Sequence, residues 1–560
     1  FTIIFRRVIK MNLYKYVSDA INDKLGVAVK LDVPRNREFG DFATNAAMVM
    51  AKSAGKNPRE LANELLPRLR ELEFVADVSV AGPGFINIKL RDDFLWNAVA
   101  QPQTPHAEKP MKIDLDYGGY NVGKALHIGH LRTTIVGDTF NRIARTLGHI
   151  TKSYNHIGDW GRPMGLIIAW IMEYGMPKTA AELNKIYPAS TARAKEDETW
   201  MAHAKEITAK LQSGDIECKR IYDDFMKISL AQMDEVLRRL NVLPFDATMG
   251  ERGVAQYVPE MQKILESKNL LTMDDGAMIV NIKRDDDRAP MPPLMFRTSA
   301  DTQTYAAADL SAIYYRTKTD HPDIIGYFTD SRQNLHFQQV FRAAQLAEIT
   351  TAELFHTGFG ALTGADGKPF KTRDGGVAEL LDILDTARDA VRERTTDAGK
   401  TLDDETIDAI ALAAVKFNDL IHDVRADYVF DPNQITSFEG RTGPYILYTA
   451  VRLNSVLRRA GDTTTAELTE LTTDERNLLI EILDFERTVQ GAFDNRATDM
   501  IANYAYDLCQ LINSFYHNCP ILRDDVTPAA RAQRLHIVHI AADTLGRAID
   551  LMGLRIPNEM

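Results

Sequence analysis

"MKIDLDYGGYNVGKALHIGHLRTTIVGDTFNRIARTLGHITKSYNHIGDW", residues 111–160, is the stretch whose reading decides the fold. "MKIDLDY" reads as a short strand. Glycines 118, 119 and 123 then break it. Leu131, Ile135, Val136, Phe140, Ile143 and Leu147 recur at helical spacing, so they share one face of a helix that Gly148 is placed to end. "ITKSYNHIGDW" is the next apolar-rich stretch. Strand, glycine-containing turn, helix and strand make a βαβ unit, which implies a parallel sheet with a ligand site at the strand ends.

The turn before the helix carries His127-Ile128-Gly129-His130, with Lys124 three residues earlier. Gly129 removes a side chain where a flat ring could approach the backbone. Two imidazoles, an ammonium and a helix N-terminus make a phosphate site. Such donors stabilise charge that builds up on a phosphorus centre during transfer. The bland alternative is a pair of histidines on a helix surface. Position favours the phosphate site, because nucleotides bind where a strand turns into a helix.

Outward from this unit, the 560 residues are enough for several domains. Composition is that of an ordinary globular chain, 45% hydrophobic and 26% charged. No apolar run approaches the roughly 20 residues that span a bilayer, so no membrane partner is expected. Residues 1–10, "FTIIFRRVIK", read as an extension upstream of a start at Met11, because their short apolar run precedes the basic residues, unlike a signal peptide. The three cysteines, Cys218, Cys509 and Cys519, form no CxxC pair. No structural metal is therefore expected, and a reducing cytoplasm is. A net charge of −12 excludes a generally basic nucleic-acid coat but leaves room for a local basic track.

The domain plan follows from pattern. Residues 11–105 mix helical spacing ("ELANELLPRLREL") with alternating strands ("VADVSVAG", "GFINIKL"), a small α+β module. Residues 110–375 form the α/β unit, interrupted by a charged, mainly helical insertion at about 177–290. A helical connector is expected over 376–425, and a wholly helical domain over 426–560. The fold class is multidomain α/β.

The HxGH motif after a strand resembles the first signature of class I aminoacyl-tRNA synthetases, shared in similar form by some adenylyltransferases. The second signature, a mobile lysine loop, is matched in degenerate form by "GKPFKTRDGG", Gly367–Gly376, through Lys368 and Lys371. Alone, that loop reads equally as a solvated basic turn. The surroundings resemble the arginyl-tRNA synthetase family of bacterial type: Asp116, Asn121 and Lys124 in "DYGGYNVGKALHIGHLR", then "HIGDWG", "TYAAADLSAIYYR" and "TDSRQNLHFQQVF". The likeness runs from about Met11 to Met560.

The resemblance implies a Rossmann-like catalytic domain, an N-terminal tRNA-binding module and a C-terminal anticodon-binding bundle. It implies ATP with Mg²⁺, L-arginine and tRNA(Arg) as partners, in a cytoplasmic enzyme that we expect to be a monomer. Lys124, His127, Gly129, His130, Lys368 and Lys371 would serve ATP. Tyr305 and Asp309, four apart at a helix start and so on one face, would hold the guanidinium. Gln333 and Asp116 match further contacts to it, and Asn121 matches the residue at the α-amino or carboxylate end. A guanidinium asks for planar, acidic acceptors, which Asp309 supplies. Without the family, Asp309 could be a surface carboxylate, Tyr305 a core residue and His336 structural.

For tRNA, Tyr445, Tyr448, Arg452 and Arg459 recur at helical spacing in "RTGPYILYTAVRLNSVLRRA", aromatic faces for bases with arginines for phosphates. The tyrosines as core and the arginines as solvated charges is the alternative. By resemblance Met560 would contact the anticodon loop, and Phe85 and Asn87 the tRNA corner. Cys519 reads as buried packing. A synthetase for glutamate or glutamine would need a basic or amide-reading pocket in place of Asp116 and Asp309. An adenylyltransferase would leave both terminal domains unexplained, and a non-catalytic tRNA-binding relative would be expected to lose the histidines or the lysine loop.

Overall fold

The structure, a computed structural model, describes all residues except 1–12, 29–30, 35–36, 101–104, 288, 300–301, 365–377 and 462–465. The extension at 1–10 and the lysine loop with Lys368 and Lys371 therefore lie outside the described residues.

The central sheet has five parallel strands: β1 (Lys112–Asp116), β2 (Ile150–Asn155), β3 (Ala247–Thr248), β4 (Ile324–Asp330) and β5 (Glu353–Phe359). Their spatial order is β5-β4-β1-β2-β3. The chain leaves β1 to one side and returns to the other, so the topology switches between β1 and β4. Ligands of such sheets bind at the carboxyl ends of the strands at the switch. Asp116 ends β1, and Ser331–Gln333 follows β4 as a short 3₁₀ turn. Both are residues singled out by the motif, or adjoin one.

Helix α1 (Leu131–Thr146) crosses from β1 to β2, as the apolar spacing predicts. It is not amphipathic in the expected sense, because 13 of its 16 residues are buried. Its polar side is satisfied internally. Thr133 Oγ1 donates to the carbonyls of Tyr117 and Phe328, at 2.9 and 2.6 Å. The Asp138 carboxylate accepts from Leu243 N and Arg142 Nε, both at 2.9 Å. Gly137 lies so close to Tyr117 that a Cβ would sit 2.2 Å from its ring. The helix is thus seated directly against the end of β1.

The insertion begins as three helices, Ala180–Glu196, Glu198–Gln212 and α2 (Ile216–Arg239). It is mainly helical, as the pattern predicts, with short strands added that the sequence reading does not place. Ala247–Thr248 rejoins the central sheet as β3. Leu271–Asp274, Ala277–Val280 and Leu294–Arg297 make a separate antiparallel sheet. Four-residue strands with little burial carry too weak an alternation to read. The α/β pattern resumes with α3 (Tyr305–Asp320) and α4 (Asn334–Leu346).

The N-terminal module is α+β, with a four-stranded antiparallel sheet of Leu31–Asp32, Phe42–Thr44, Phe85–Leu90 and Val75–Ala81 in that order. It docks on the C-terminal helices through Arg476, which reaches Asp41 Oδ2 at 2.5 Å and the Leu90 carbonyl at 2.6 Å. Beyond the central sheet the chain is almost entirely helical: α5 (Leu380–Asp397), α6 (Asp404–Leu420), α7 (Gly443–Ala460), then Thr473–Leu483, Phe485–Asp494, α8 (Asp499–Asn518) and α9 (Pro528–Leu551). All three cysteines are buried and free, and Cys519 packs beside Thr472. No described helix is long and apolar enough to cross a membrane.

Candidate active site and nucleic-acid surface

Ile128–His130 is a 3₁₀ turn leading into α1, and its two histidines cap it reciprocally. Gly129 N donates to His127 Nδ1, and His127 N donates to His130 Nδ1, both at 3.1 Å. Each Nδ1 is thus an acceptor, so each neutral ring carries its proton on Nε2. The rings lie 4.0 Å apart at 33°. Burial and the neighbouring Lys124 ammonium lower the His127 pKa. Burial, His127 and Lys124 push His130 down to about 3. The motif therefore presents two neutral N–H donors, not two cations. A Cβ on Gly129 would meet the His127 ring at 2.8 Å, so the glycine is needed to let that ring fold back.

This segment also meets the chain just past the lysine loop. Ile128 N donates to the Ala378 carbonyl at 3.0 Å, and Leu380 N to the Leu126 carbonyl at 2.9 Å. On the other side Arg132 Nη1 donates to the carbonyls of Gly360 and Ala426, at 2.9 and 2.8 Å.

Lys124 Nζ sits 4.3 Å over the Tyr187 ring, which comes from the insertion. Tyr187 interacts electrostatically with Tyr305, as do Glu251 and Arg162. Tyr305 begins α3, capped by Thr304, and is 73% exposed. One turn on, Asp309 Oδ2 accepts from His336 Nε2 at 2.6 Å. Glu251 stands near Asp309 and Asp159, and burial, then these two charges, raise its carboxyl pKa to about 7. Asp159 is fixed by Tyr222 Oη at 2.7 Å and Arg252 N at 3.1 Å. Three carboxylates thus converge beside one tyrosine. Glu251 and Asp159 escaped the sequence reading, although "HIGDWG" contained the second of them. His336 is hydrogen-bonded to Asp309.

Asn121 bridges to Gly158, whose missing side chain makes room for the Asn121 amide. Gln333 is exposed at the end of β4. Asp116 has a protein partner of its own. The resemblance put it against a substrate guanidinium, yet its Oδ2 already accepts from Arg316 Nη2 at 2.6 Å. Among the described residues, no group of three or more His, Cys, Asp or Glu is placed to hold a metal ion.

At the other end of the molecule, Tyr445, Tyr448, Arg452 and Met560 line one cavity of 750 Å³, with Arg394 and Phe438. Tyr445 Oη accepts from Gln510 and Asn513, both at 2.7 Å. Arg452 stacks 3.8 Å over Tyr516, and Lys400 Nζ holds the Met560 carbonyl at 3.2 Å. Tyr448 is 41% exposed. Arg459 is exposed on the same helix but does not line this cavity. In the N-terminal module Phe85 is at the surface, while Asn87, two residues along the same strand face, is only 6% exposed. Phe85 is therefore the more accessible of that pair.

The chain matches three family models. Residues 93–432 match the class I (R) tRNA synthetase catalytic domain, 446–560 the DALR anticodon-binding domain, and 7–90 the arginyl-tRNA synthetase N-terminal domain. It is 35% identical to the arginine–tRNA ligase of Alkaliphilus oremlandii, over 96% of both chains. It belongs to the arginyl-tRNA synthetase family. The arginine–tRNA ligase of Pseudomonas syringae pv. tomato is also 35% identical, over 99% of both chains. Two solved arginyl-tRNA synthetases share the fold: that of Thermus thermophilus at a TM-score of 0.85 (24% identity, 98% of this chain and 100% of that one) and that of Plasmodium falciparum at 0.82 (23% identity, 97% and 98%). As an arginyl-tRNA synthetase family member, the chain joins a class I catalytic domain to an anticodon-binding domain.

Proposed function

We propose that this chain activates L-arginine with ATP to arginyl-adenylate, transfers the arginyl group to the 3′ end of tRNA(Arg), and releases AMP and pyrophosphate. One observation carries the choice of amino acid: Glu251 shares an electrostatic neighbourhood with Asp309 and with Tyr305, and Tyr187, which interacts with Tyr305, lies under the Lys124 ammonium. A guanidinium is a planar, permanent cation that satisfies such acceptors in a way an ammonium does not.

In the first step the arginine carboxylate attacks the α-phosphorus of ATP and pyrophosphate leaves. The attacking group is already anionic, so no protein base is required. The protein's work is positioning and charge stabilisation. His127 and His130 donate Nε2–H, and Lys124 supplies fixed positive charge. Lys368 and Lys371 are proposed as the second set of phosphate contacts, and Gly129 as the position that lets the His127 ring fold back beside the nucleotide. Mg²⁺ enters with the triphosphate as part of that substrate. Asn121 holds the α-amino or carboxylate end, and Gln333 adds a contact at the pocket edge. In the second step the terminal 2′-hydroxyl of tRNA attacks the adenylate carbonyl and AMP departs. Phe85, Tyr448, Arg452 and Met560 are proposed tRNA contacts, with Asn87 and Tyr445 supporting them. The functional units are 11–105, 110–375, 376–425 and 426–560. The enzyme acts as a cytoplasmic monomer.

The test is ATP–pyrophosphate exchange with each standard amino acid, with and without tRNA. Arginine-dependent exchange is expected. Exchange with glutamate and not arginine would overturn the substrate, and none under any condition would leave a binding protein.

Two further outcomes follow. A Glu251 carboxyl titrating near 7 is half neutral at neutral pH, and only its ionised form attracts a cation. The arginine KM is therefore expected to fall as pH rises from 6 to 8, by about threefold to tenfold, and to flatten in Glu251→Gln. At the far end, Tyr448→Ala is expected to raise the tRNA KM by roughly tenfold, the value of one base–aromatic stack, with tRNA-saturated kcat nearly unchanged. Aminoacylation at varied tRNA concentration measures it.

A further inference from the structure

We infer that Arg316 is a positioning residue of the arginine site: its fixed guanidinium neutralises Asp116, so that Asp309 and Glu251, and not Asp116, read the charge of the substrate. The inference rests on the function proposed above and goes beyond it by assigning the charge-reading groups.

The geometry is that of a built-in guanidinium. Arg316 is 1% exposed and its Nη2 meets Asp116 Oδ2 at 2.6 Å. Its guanidinium lies between two tyrosine faces, 4.4 Å from the Tyr154 centroid and 5.4 Å from that of Tyr327. Planar stacking on both rings holds it where a flexible ammonium would not stay. Tyr154 is itself tied to Asp320, which also accepts from Lys152 Nζ at 2.7 Å. Nothing about this cage leaves Arg316 free to swing aside for a substrate.

Charge logic gives the same answer. Asp116 is buried at the end of β1, and an unpaired carboxylate there would be costly whenever the site is empty. Arg316 supplies the counter-charge permanently. A second guanidinium brought to the same oxygen would face Arg316 at close range, and like charges repel strongly in a poorly solvated site. Helix α3 accomplishes both tasks from one stripe. Tyr305, Asp309 and Arg316 stand at i, i+4 and i+11, so the helix offers an acceptor near its mouth and a cation deeper in. Between them Tyr327 Oη is buried without a hydrogen-bond partner among the described residues, and it senses the charges of Asp116 and Asp309 together. His156 Nδ1, 4.0 Å from Asp116, is also buried and unpartnered. Of Asp116, Asp309 and Glu251, the last two carry no guanidinium of the protein among the described residues.

L-citrulline, the neutral urea isostere of arginine, separates the roles. Its inhibition constant divided by the arginine KM, in tRNA-supported pyrophosphate exchange, measures how strongly the site reads charge. Asp309→Asn is expected to lower that ratio by about tenfold or more, and Asp116→Asn to leave it within about threefold. A collapse of the ratio in Asp116→Asn would overturn the inference. Arg316→Met and Asp116→Asn are each expected to raise the arginine KM and the citrulline inhibition constant together by about thirtyfold, with ATP KM little changed, because each breaks the buried pair that holds the pocket in shape. The double variant should return to within about fivefold of the parent. A double variant no better than Asp116→Asn would show that Asp116 touches the substrate itself. Arg316→Lys keeps the charge without the fork, and a KM between the parent and Arg316→Met is expected. The citrulline ratio in Asp116→Asn decides the matter even if Arg316→Met does not fold. If the parent enzyme shows no arginine-dependent exchange, the proposed function fails. If it does and the ratio collapses in Asp116→Asn, only the role of Arg316 fails.

Discussion

Asp309→Ala is expected to raise the arginine KM by about 10²–10³-fold while the ATP KM changes by no more than about threefold. Asp309 is half-buried on the first turns of α3, with one carboxylate oxygen on His336 Nε2 at 2.6 Å. That bond fixes the rotamer and leaves the other oxygen for a ligand. Truncation removes the acceptor, strands the His336 donor and leaves a bound guanidinium facing only Glu251. Losing one partner of a desolvated charge pair costs about 3–4 kcal/mol, and each 1.4 kcal/mol is tenfold in affinity. Asp309→Asn should be milder by roughly tenfold, since it keeps the shape and one acceptor while losing the charge. Initial rates of pyrophosphate exchange at varied arginine and varied ATP distinguish these outcomes. An unchanged arginine KM in Asp309→Ala would remove Asp309 from the substrate site.

The parts of this site that the sequence made legible share a property: their chemistry is local. Lys124, His127, Gly129 and His130 fall within seven positions, and the strand and helix beside them have strong periods. Tyr305 and Asp309 are one helical turn apart. Groups that reach the site through tertiary packing were invisible. Arg316 stands 200 residues from the aspartate it neutralises. Glu251 precedes no motif and begins a five-residue helix. Helix α1 reads by its apolar stripe, because its Asp138–Arg142 pair at i,i+4 looks like a surface pair and nothing in the sequence says that Asp138 will also accept from Leu243 N in a buried contact. The antiparallel sheet in the insertion was missed for another reason. Its turn, Asp275-Gly276, carries positive φ at both positions, a strong hairpin signal flanked by strands too short and exposed to confirm it.

The second large effect is expected at His130. His130→Ala should lower kcat for adenylate formation by about 10²–10³-fold, the usual value of one preorganised donor to a developing anion, with arginine KM nearly constant. The tautomer argument makes this sharper. Since Nδ1 is committed to the His127 backbone N–H, only Nε2–H can serve the phosphates. A glutamine amide reaches the Nε2 position, whereas an asparagine amide reaches only Nδ1. His130→Gln should therefore keep roughly a tenth of the activity, and His130→Asn should resemble alanine. If the imidazole acted as a cation, neither amide would help and the rate would rise below pH 6.5. With the His130 pKa near 3, its protonation contributes nothing to the rate profile at or above pH 6. The same depression has a stability consequence of definite sign. The unfolded chain binds a proton at His130 near pH 6.5 and the folded chain does not until about 3. Stability is therefore full above pH 6.5 and is lost as pH falls towards 3, by up to about 2 kcal/mol at pH 5. Thermal melts of His130→Gln should show a shallower acid dependence than the parent over that window. A rate and a melting curve, read on one residue, thus separate a neutral donor from a charged one.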